Sequence, residues 1–398
     1  MSTVPNAPPL ILYVLYQILG ITIFLVLLIP IVLFRSVLHL HPSTRPYPTW
    51  SYRRSLAVAV GRLYLACTTF FSLPLPPAKK AWKEDALVHK QVGEGTEVKV
   101  VGVPPVRDEW RVGIARAAEG LVEPVEVPCF WTYPTKNGKE GDARAGEGER
   151  VVLYVAGGSW VMGHPQSTPF PYKICAVSGH RVLAGYAYLL SHGFLPENIT
   201  FLGDSSGGHL VLALSRYLAE LDAAVPDLNV GMPGALMLIS PSCDLSHAPH
   251  PFSSTDFLVP FLNQRAYPSL ARHFPPAELK NSPYFSPALG APGAFAYLAR
   301  PKGLDADMDA DGADEDRQRE KTHRDGAGCR VWIQYGSVEN LRPDIDRLVE
   351  HMRADGVDVD VDLVEGGVHL DAGMAFALKE RGEGSSWARF LEAVRTYA

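Results

Sequence analysis

The chain opens on a run without any charge, "LILYVLYQILGITIFLVLLIPIVLF" from Leu10 to Phe34, 25 residues long. At 1.5 Å per residue it is long enough to cross a hydrocarbon core of ~30 Å. A cleaved signal peptide fits less well, because no Lys or Arg precedes the run and no A-x-A site follows it. Residues 1–35 therefore predict a membrane anchor. Residues 36–94 then mix Arg, Pro and aromatics with helical spacing, as in "SLAVAVGRLYLACTTF", and read as a linker and cap-like region.

From Thr96 the pattern changes to short β-prone runs, "TEVKVVGV", "EPVEVPCFWTYP" and "ERVVLYVAGG", with a polar loop at 135–148. Beyond residue 150, apolar strands alternate with helical segments, which predicts a mostly parallel α/β sheet flanked by helices. Strands are expected at "GALMLIS", "CRVWIQYG" and "VDVDVDLVEG", and helices at 208–222, 343–354 and 385–397. About 85 residues separate "ISPSCDLS" from "VWIQYG". They predict a cap excursion and a disordered acidic loop near 302–328, inside a catalytic domain spanning 95–398.

Composition changes this picture in two places. The net charge of −6 comes from Asp305–Asp316, which holds seven acids and no base, so the remainder is near +1. That leaves no basic surface for nucleic acid. The five cysteines, 67, 129, 175, 243 and 329, form no CxxC or metal-like cluster and point to neither a disulfide framework nor a zinc site. Arg35, Arg45, Arg53, Arg54 and Arg62 follow the apolar run, and the positive-inside rule places that side in the cytosol. The sequon Asn198-Ile199-Thr200 carries little weight against this, since a glycan there would crowd the adjoining strand. A single-pass location at the endoplasmic reticulum is expected, with the side of the catalytic domain left open.

Candidate chemistry centres on "ENITFLGDSSGGHL". A strand, a tight turn and a helix surround Gly203-Asp204-Ser205-Ser206-Gly207, the G-x-S-x-G pattern that presents a serine Oγ above a sheet. Upstream, "LYVAGGSWVMG" offers Gly157 and Gly158 as backbone donors for an oxyanion, joined by the Ser206 N–H. Downstream, Glu339 follows the strand "CRVWIQYG" and His369 sits in a Gly-flanked loop after "VDLVEGG". The chain order Ser205, Glu339, His369 is that of a nucleophile, an orienting acid and a base on an α/β-hydrolase sheet. Asp344 and Asp371 are alternative acids, whereas His209 and His164 read as structural or substrate-lining residues.

From about residue 95 onward these motifs, with "ISPSCDLS", "NSPYFSPAL", "GSVENLRPDI" and "VEGGVHLDAG", resemble the hormone-sensitive-lipase branch of α/β-hydrolases, close to arylacetamide deacetylases and fungal steryl acetyl hydrolases. The resemblance implies a Ser205 nucleophile, a Glu339 acid, a His369 base and oxyanion glycines at Gly157 and Gly158. It implies deacylation of esters, acetates above all, of lipophilic alcohols such as sterols or terpenoids, with no cofactor and no metal. The rival reading is a catalytically silent relative that binds a small hydrophobic ligand, or an inactive truncated isoform. The chain departs from the family twice. The family's His-Gly-Gly-Gly stands here as Ala156-Gly157-Gly158-Ser159. About 20 residues, a strand with its turn and part of a helix, are expected to be missing at Leu183/Ala184. Either "GHRVL" is expected to serve as a shortened strand running into a helix at Ala187–Ser191, or the chain as written is expected to fold poorly.

Overall fold

The computed structural model describes residues 10–71, 96–117, 119, 125–134, 144–158, 176–179, 182–246, 255–256, 280–299 and 328–398. The expected acidic loop, the polar loop up to residue 143 and His164 lie outside the described residues. Among the described residues eight strands form one sheet in the order β1-β2-β4-β3-β5-β6-β7-β8. They are β1 (Thr96–Val103), β2 (Val127–Pro134), β3 (Val151–Val155), β4 (Ala176–Gly179), β5 (Ile199–Asp204), β6 (Ala235–Ile239), β7 (Arg330–Gly336) and β8 (Val359–Val364). β1 and β2 form an antiparallel ribbon, β2 runs antiparallel to β4, and every later pairing is parallel.

Every residue of β3, β5 and β6 is buried. Such continuous burial, rather than alternation, is what a parallel strand covered on both faces shows. One face packs with helices α3 (Val182–Ser191), α4 (Ser206–Ala224) and α5 (Arg342–Ala354), which contribute Tyr186, Leu218 and Leu348 to the larger core. The other packs with α6 (Asp371–Ala377) and α7 (Ser386–Tyr397) through Ala372, Trp387 and Phe390. At the edge, β8 alternates Val359, Asp360, Val361 and Asp362, and such charge guards a strand that has no further partner among the described residues.

The strand expected at "GHRVL" lies earlier. β4 is Ala176–Gly179, and Val182 and Leu183 already belong to α3. The helix takes these residues because Tyr186 and Leu189 must reach the core three positions apart. Tyr186 meets the Phe201 ring edge-on at 5.3 Å, and its hydroxyl donates to the Val230 carbonyl at 2.8 Å. The interior slot of the sheet is thus filled, by a strand of four residues.

Ahead of the sheet stand α1 (Leu10–Leu38) and α2 (Tyr52–Phe71). Within α1, Val14–Leu38 is long and apolar enough to cross a membrane, a test that signal sequences also pass. Leu12, Ile18, Val26, Ile29, Leu33 and Phe34 are exposed along it. Phe24 packs edge-on against Tyr64 of α2 at 5.9 Å. α2 lies against the catalytic half of the chain, and Arg54 is only 12% exposed because Asp371 and Glu380 hold it. Arg54 is therefore part of the folded body and drops out of the set of charges that flank the apolar run.

Candidate active site

Ser205 sits between β5 and α4 with φ 53° and ψ −120°. A non-glycine residue holds such a conformation only where its surroundings over-determine it. Here its N–H donates to the Ile239 carbonyl at 2.9 Å and its carbonyl accepts from Ser242 N–H at 3.0 Å. The flanking glycines are steric necessities. A Cβ on Gly203 would lie 2.5 Å from the Gly207 carbonyl oxygen, and one on Gly207 would lie 2.0 Å from that of Val155. The turn exists because the helix start can be drawn hard against the strand ends, leaving Ser205 at their crest.

His369 Nε2 lies 3.0 Å from Ser205 Oγ, and its Nδ1 lies 3.5 Å from Glu339 Oε1. The structure thus brings together the three residues singled out from sequence. Glu339 is buried, and its other oxygen accepts from Ser240 Oγ at 2.7 Å and from Gly336 N–H at 2.8 Å. Ser240 Oγ accepts in turn from Leu370 N–H at 3.0 Å, which links acid and base through one hydroxyl. Burial by itself would lower the His369 pKa, but the hydrogen bond and charge of Glu339, with the charges of Asp256 and Asp204, carry it above its ordinary 6.5.

The oxyanion side differs from expectation at one residue. Gly157 N–H donates to Asp204 Oδ1 at 3.0 Å, so this donor braces its loop instead of facing the serine. A Cβ at Gly157 would meet the Asp204 carbonyl oxygen at 2.5 Å, which explains the glycine by close approach. Tyr154 Oη donates to the same carboxylate oxygen at 2.5 Å. Asp204 is buried and its pKa is raised by that burial, against which the Tyr154 and Gly157 bonds act. Gly158, at φ 135°, follows in a conformation that glycine adopts freely. Ser206 is the first residue of α4, where helix N–H groups have no intrahelical acceptor.

The alternative acids are engaged elsewhere. Asp344 lies 3.8 Å from Arg347. Asp371 accepts from Arg54, from Val368 N–H at 3.1 Å and from Ser386 Oγ at 2.6 Å. His209 is buried beside Phe285 and burial pushes its pKa down to about 4, so it is neutral, as a structural histidine would be. One residue escaped the sequence reading altogether. Asp256 is fully buried, and its carboxylate accepts from His369 N–H at 3.1 Å and from Asn340 N–H at 2.9 Å. Burial pushes its pKa up to about 6, and the Glu339 charge adds to this, while His369 and the two N–H bonds act against it. Nothing in "FSSTDFLVP" marks this aspartate, because its partners lie 84 and 113 positions away.

A serine, a histidine and a buried carboxylate at these distances can deliver an alkoxide to a carbonyl carbon and return a proton to the group that leaves. Comparison with known proteins bears on the fold and on the class of relatives. A family model for the alpha/beta hydrolase fold matches residues 176–301. The carboxylesterase/phospholipase LipF of Mycobacterium tuberculosis is 32% identical over 163 residues, which are 35% of this chain and 41% of that protein. An acetyl-hydrolase of Streptomyces hygroscopicus is 30% identical over 123 residues, 24% of this chain and 37% of the relative. The chain thus spans about two fifths of the length of the curated relatives it matches. Among solved structures, an esterase from the bacterial hormone-sensitive lipase family aligns over 88% of this chain and 99% of its own, with TM-score 0.53 and 20% identity. Carboxyl esterase 2 of Tuber melanosporum aligns over 77% and 88%, with TM-score 0.51 and 16% identity. These two show the shared fold.

Proposed function

We propose, from the premise that this chain has the α/β-hydrolase fold, that it is a serine hydrolase of carboxylic esters of the hormone-sensitive-lipase branch. The observation that carries the reading is the 3.0 Å contact of Ser205 Oγ with His369 Nε2, behind which stands Glu339. His369 takes the Ser205 proton as Oγ attacks the ester carbonyl, and Glu339 stabilises the imidazolium and fixes its tautomer. The tetrahedral oxyanion is received by the Gly158 and Ser206 N–H groups, each such donor being worth about 3 kcal/mol. Gly157 serves this cradle indirectly, by tying its loop to Asp204. His369 then gives its proton to the departing alkoxide, water attacks the acyl-serine, and the same residues run in reverse. Side chains and backbone carry every step.

The substrate class we assign is an ester, acetate above all, of a lipophilic alcohol such as a sterol or terpenoid. The likeness to an acetyl-hydrolase of Streptomyces hygroscopicus supports the acetyl part. The lipophilic part is supported by the apolar α1, which we read as a single-pass anchor that holds the catalytic domain beside a bilayer. Residues 1–35 then form the anchor, 36–94 a connecting and cap-like region, and 95–398 the hydrolase domain.

Fluorophosphonate labelling of membranes carrying this protein tests the reading. The wild type should label and Ser205→Ala should not. Equal labelling of both, or none in either, rejects the hydrolase. A chain starting at residue 40 should leave the membrane fraction while hydrolysing short soluble esters; continued pelleting after carbonate extraction would refute α1 as the anchor.

A further inference from the structure

The His369 loop is held from outside the sheet, by the helix that follows the apolar N-terminal segment. Arg54 of α2 donates from Nη1 to Asp371 Oδ2 at 2.5 Å and from Nη2 to Asp371 Oδ1 at 3.3 Å, and from Nε to Glu380 Oε2 at 2.9 Å. Asp371 uses the same Oδ2 to accept the Val368 N–H. Eight residues further along α2, a rise of about 12 Å, Arg62 donates from Nη1 to the main-chain carbonyl of Asp256. The Asp256 carboxylate accepts His369 N–H and Asn340 N–H. The two peptide N–H groups at Val368 and His369, and the one just past Glu339, are therefore all fixed by aspartates that α2 grips.

We propose that Arg54 and Arg62 are positioning residues for His369, acting through Asp371 and Asp256 respectively, so that α2 sets the angle at which the imidazole meets Ser205. The inference rests on the hydrolase reading of the Ser205 site.

The local backbone needs such a grip. Leu370, directly after the histidine, has φ 56° and ψ 43°, a conformation that a leucine does not hold unaided. The imidazole swings about a bond rooted in this segment, and its 3.0 Å contact with Oγ depends on where the main chain places Cα. Two further contacts bring the N-terminal segment onto the same loop. Trp50 Nε1 donates to the Gly366 carbonyl at 2.6 Å, and Tyr47 Oη donates to Glu365. Arg54 is suited to the task because a guanidinium reaches two carboxylates from one plane, which an ammonium does not. Burial lowers the Arg54 pKa and the Asp371 and Glu380 charges more than restore it, so the guanidinium keeps its charge.

The test compares wild type with Arg54→Gln, Arg54→Lys and Arg62→Gln in the full-length membrane-bound protein, on a short soluble ester, well below each variant's melting temperature. kcat should fall roughly 10- to 100-fold in Arg54→Gln, the order that a displacement near 1 Å produces. KM should stay within about twofold, because the substrate's own contacts are untouched. Fluorophosphonate labelling of Ser205 should slow in step with kcat, and Arg54→Lys should recover part of what Arg54→Gln loses. Wild-type kcat and labelling in both Gln variants would overturn the proposal, as would a loss confined to KM. Should Arg54→Gln not melt cooperatively, Arg54→Lys decides alone: wild-type kcat rejects the proposal and a reduced kcat with unchanged KM upholds it. Failure of the wild type itself to label would instead strike the hydrolase reading.

Discussion

The Ser205 turn is held by its own neighbours in sequence and sheet, whereas the His369 loop is held by residues 113 and 317 positions away. At the turn, sterics decide: Gly203 and Gly207 leave no room for a Cβ, and the serine is forced to the crest. At the loop, hydrogen bonds to buried carboxylates decide, and each carboxylate depends on a further partner. The geometry at Ser205 is thus written locally. The geometry at His369 is a property of the assembled molecule.

Breaking either half outright gives the largest effect. Ser205→Ala and His369→Ala should each reduce kcat by roughly 10⁶, and the double variant should be little worse, since the two act as a unit. Losses that multiply in the double variant would show that they do not. Glu339→Gln should cost about 10⁴ in kcat, because an amide cannot hold the right tautomer or balance the imidazolium. Its kcat/KM profile should also shift. The raised pKa of His369 depends on the Glu339 charge, so the acid limb should move to lower pH in the variant. An unmoved limb would assign the titration to another group.

The turn answers to a different substitution. Gly207→Ala puts a methyl group 2.0 Å from a carbonyl oxygen. That overpacking should remove about 3 kcal/mol of stability, visible as a lower Tm. An unchanged Tm would mean that strand and helix can part without cost. Asp256→Asn sharpens the comparison at the loop through the pH profile. In the wild type the aspartate is ionised above its pKa of about 6 and favours the imidazolium. Its loss should therefore move the acid limb down by up to about one pH unit, with the two profiles converging below pH 6, where the wild-type carboxyl is itself neutral. Burial has raised this carboxyl in the fold, so its ionisation weakens the folded state as pH rises through 6. Asp256→Asn should consequently narrow the difference in Tm between pH 5 and pH 8.

What could be read from the sequence follows the same division. The strands β3 and β6 announce themselves as unbroken apolar runs, β5 as a short β-prone run, and the turn as a glycine pattern between a strand and a helix. Glu339 and His369, which the fold brings within 3.5 Å of each other, are legible because each follows a strand, where loop residues converge above a sheet. Asp256 and Arg54 carry no such marker, since a buried carboxylate and a helical arginine look ordinary until their partners are folded against them. Gly157 was misread for a related reason. A glycine pair after a strand shows two available N–H groups, and only the folded Asp204 side chain reveals that one is taken. The β4 assignment slipped by a few residues because Val182 and Leu183 suit either a strand or a helix. The burial of Tyr186 and Leu189 settles the choice.

β4 has a consequence for how the molecule comes apart. The ribbon of β1 and β2 is zipped by eight residue pairs, yet it joins the parallel strands through three pairs with β4, which itself meets β3 over three. A sheet parts at its narrowest seam. Amides of the β1–β2 ribbon should therefore exchange with deuterium as one cooperative group, at a lower opening free energy than those of β5 and β6. The ribbon would then peel away as a flap while the strands beneath Ser205 stay closed.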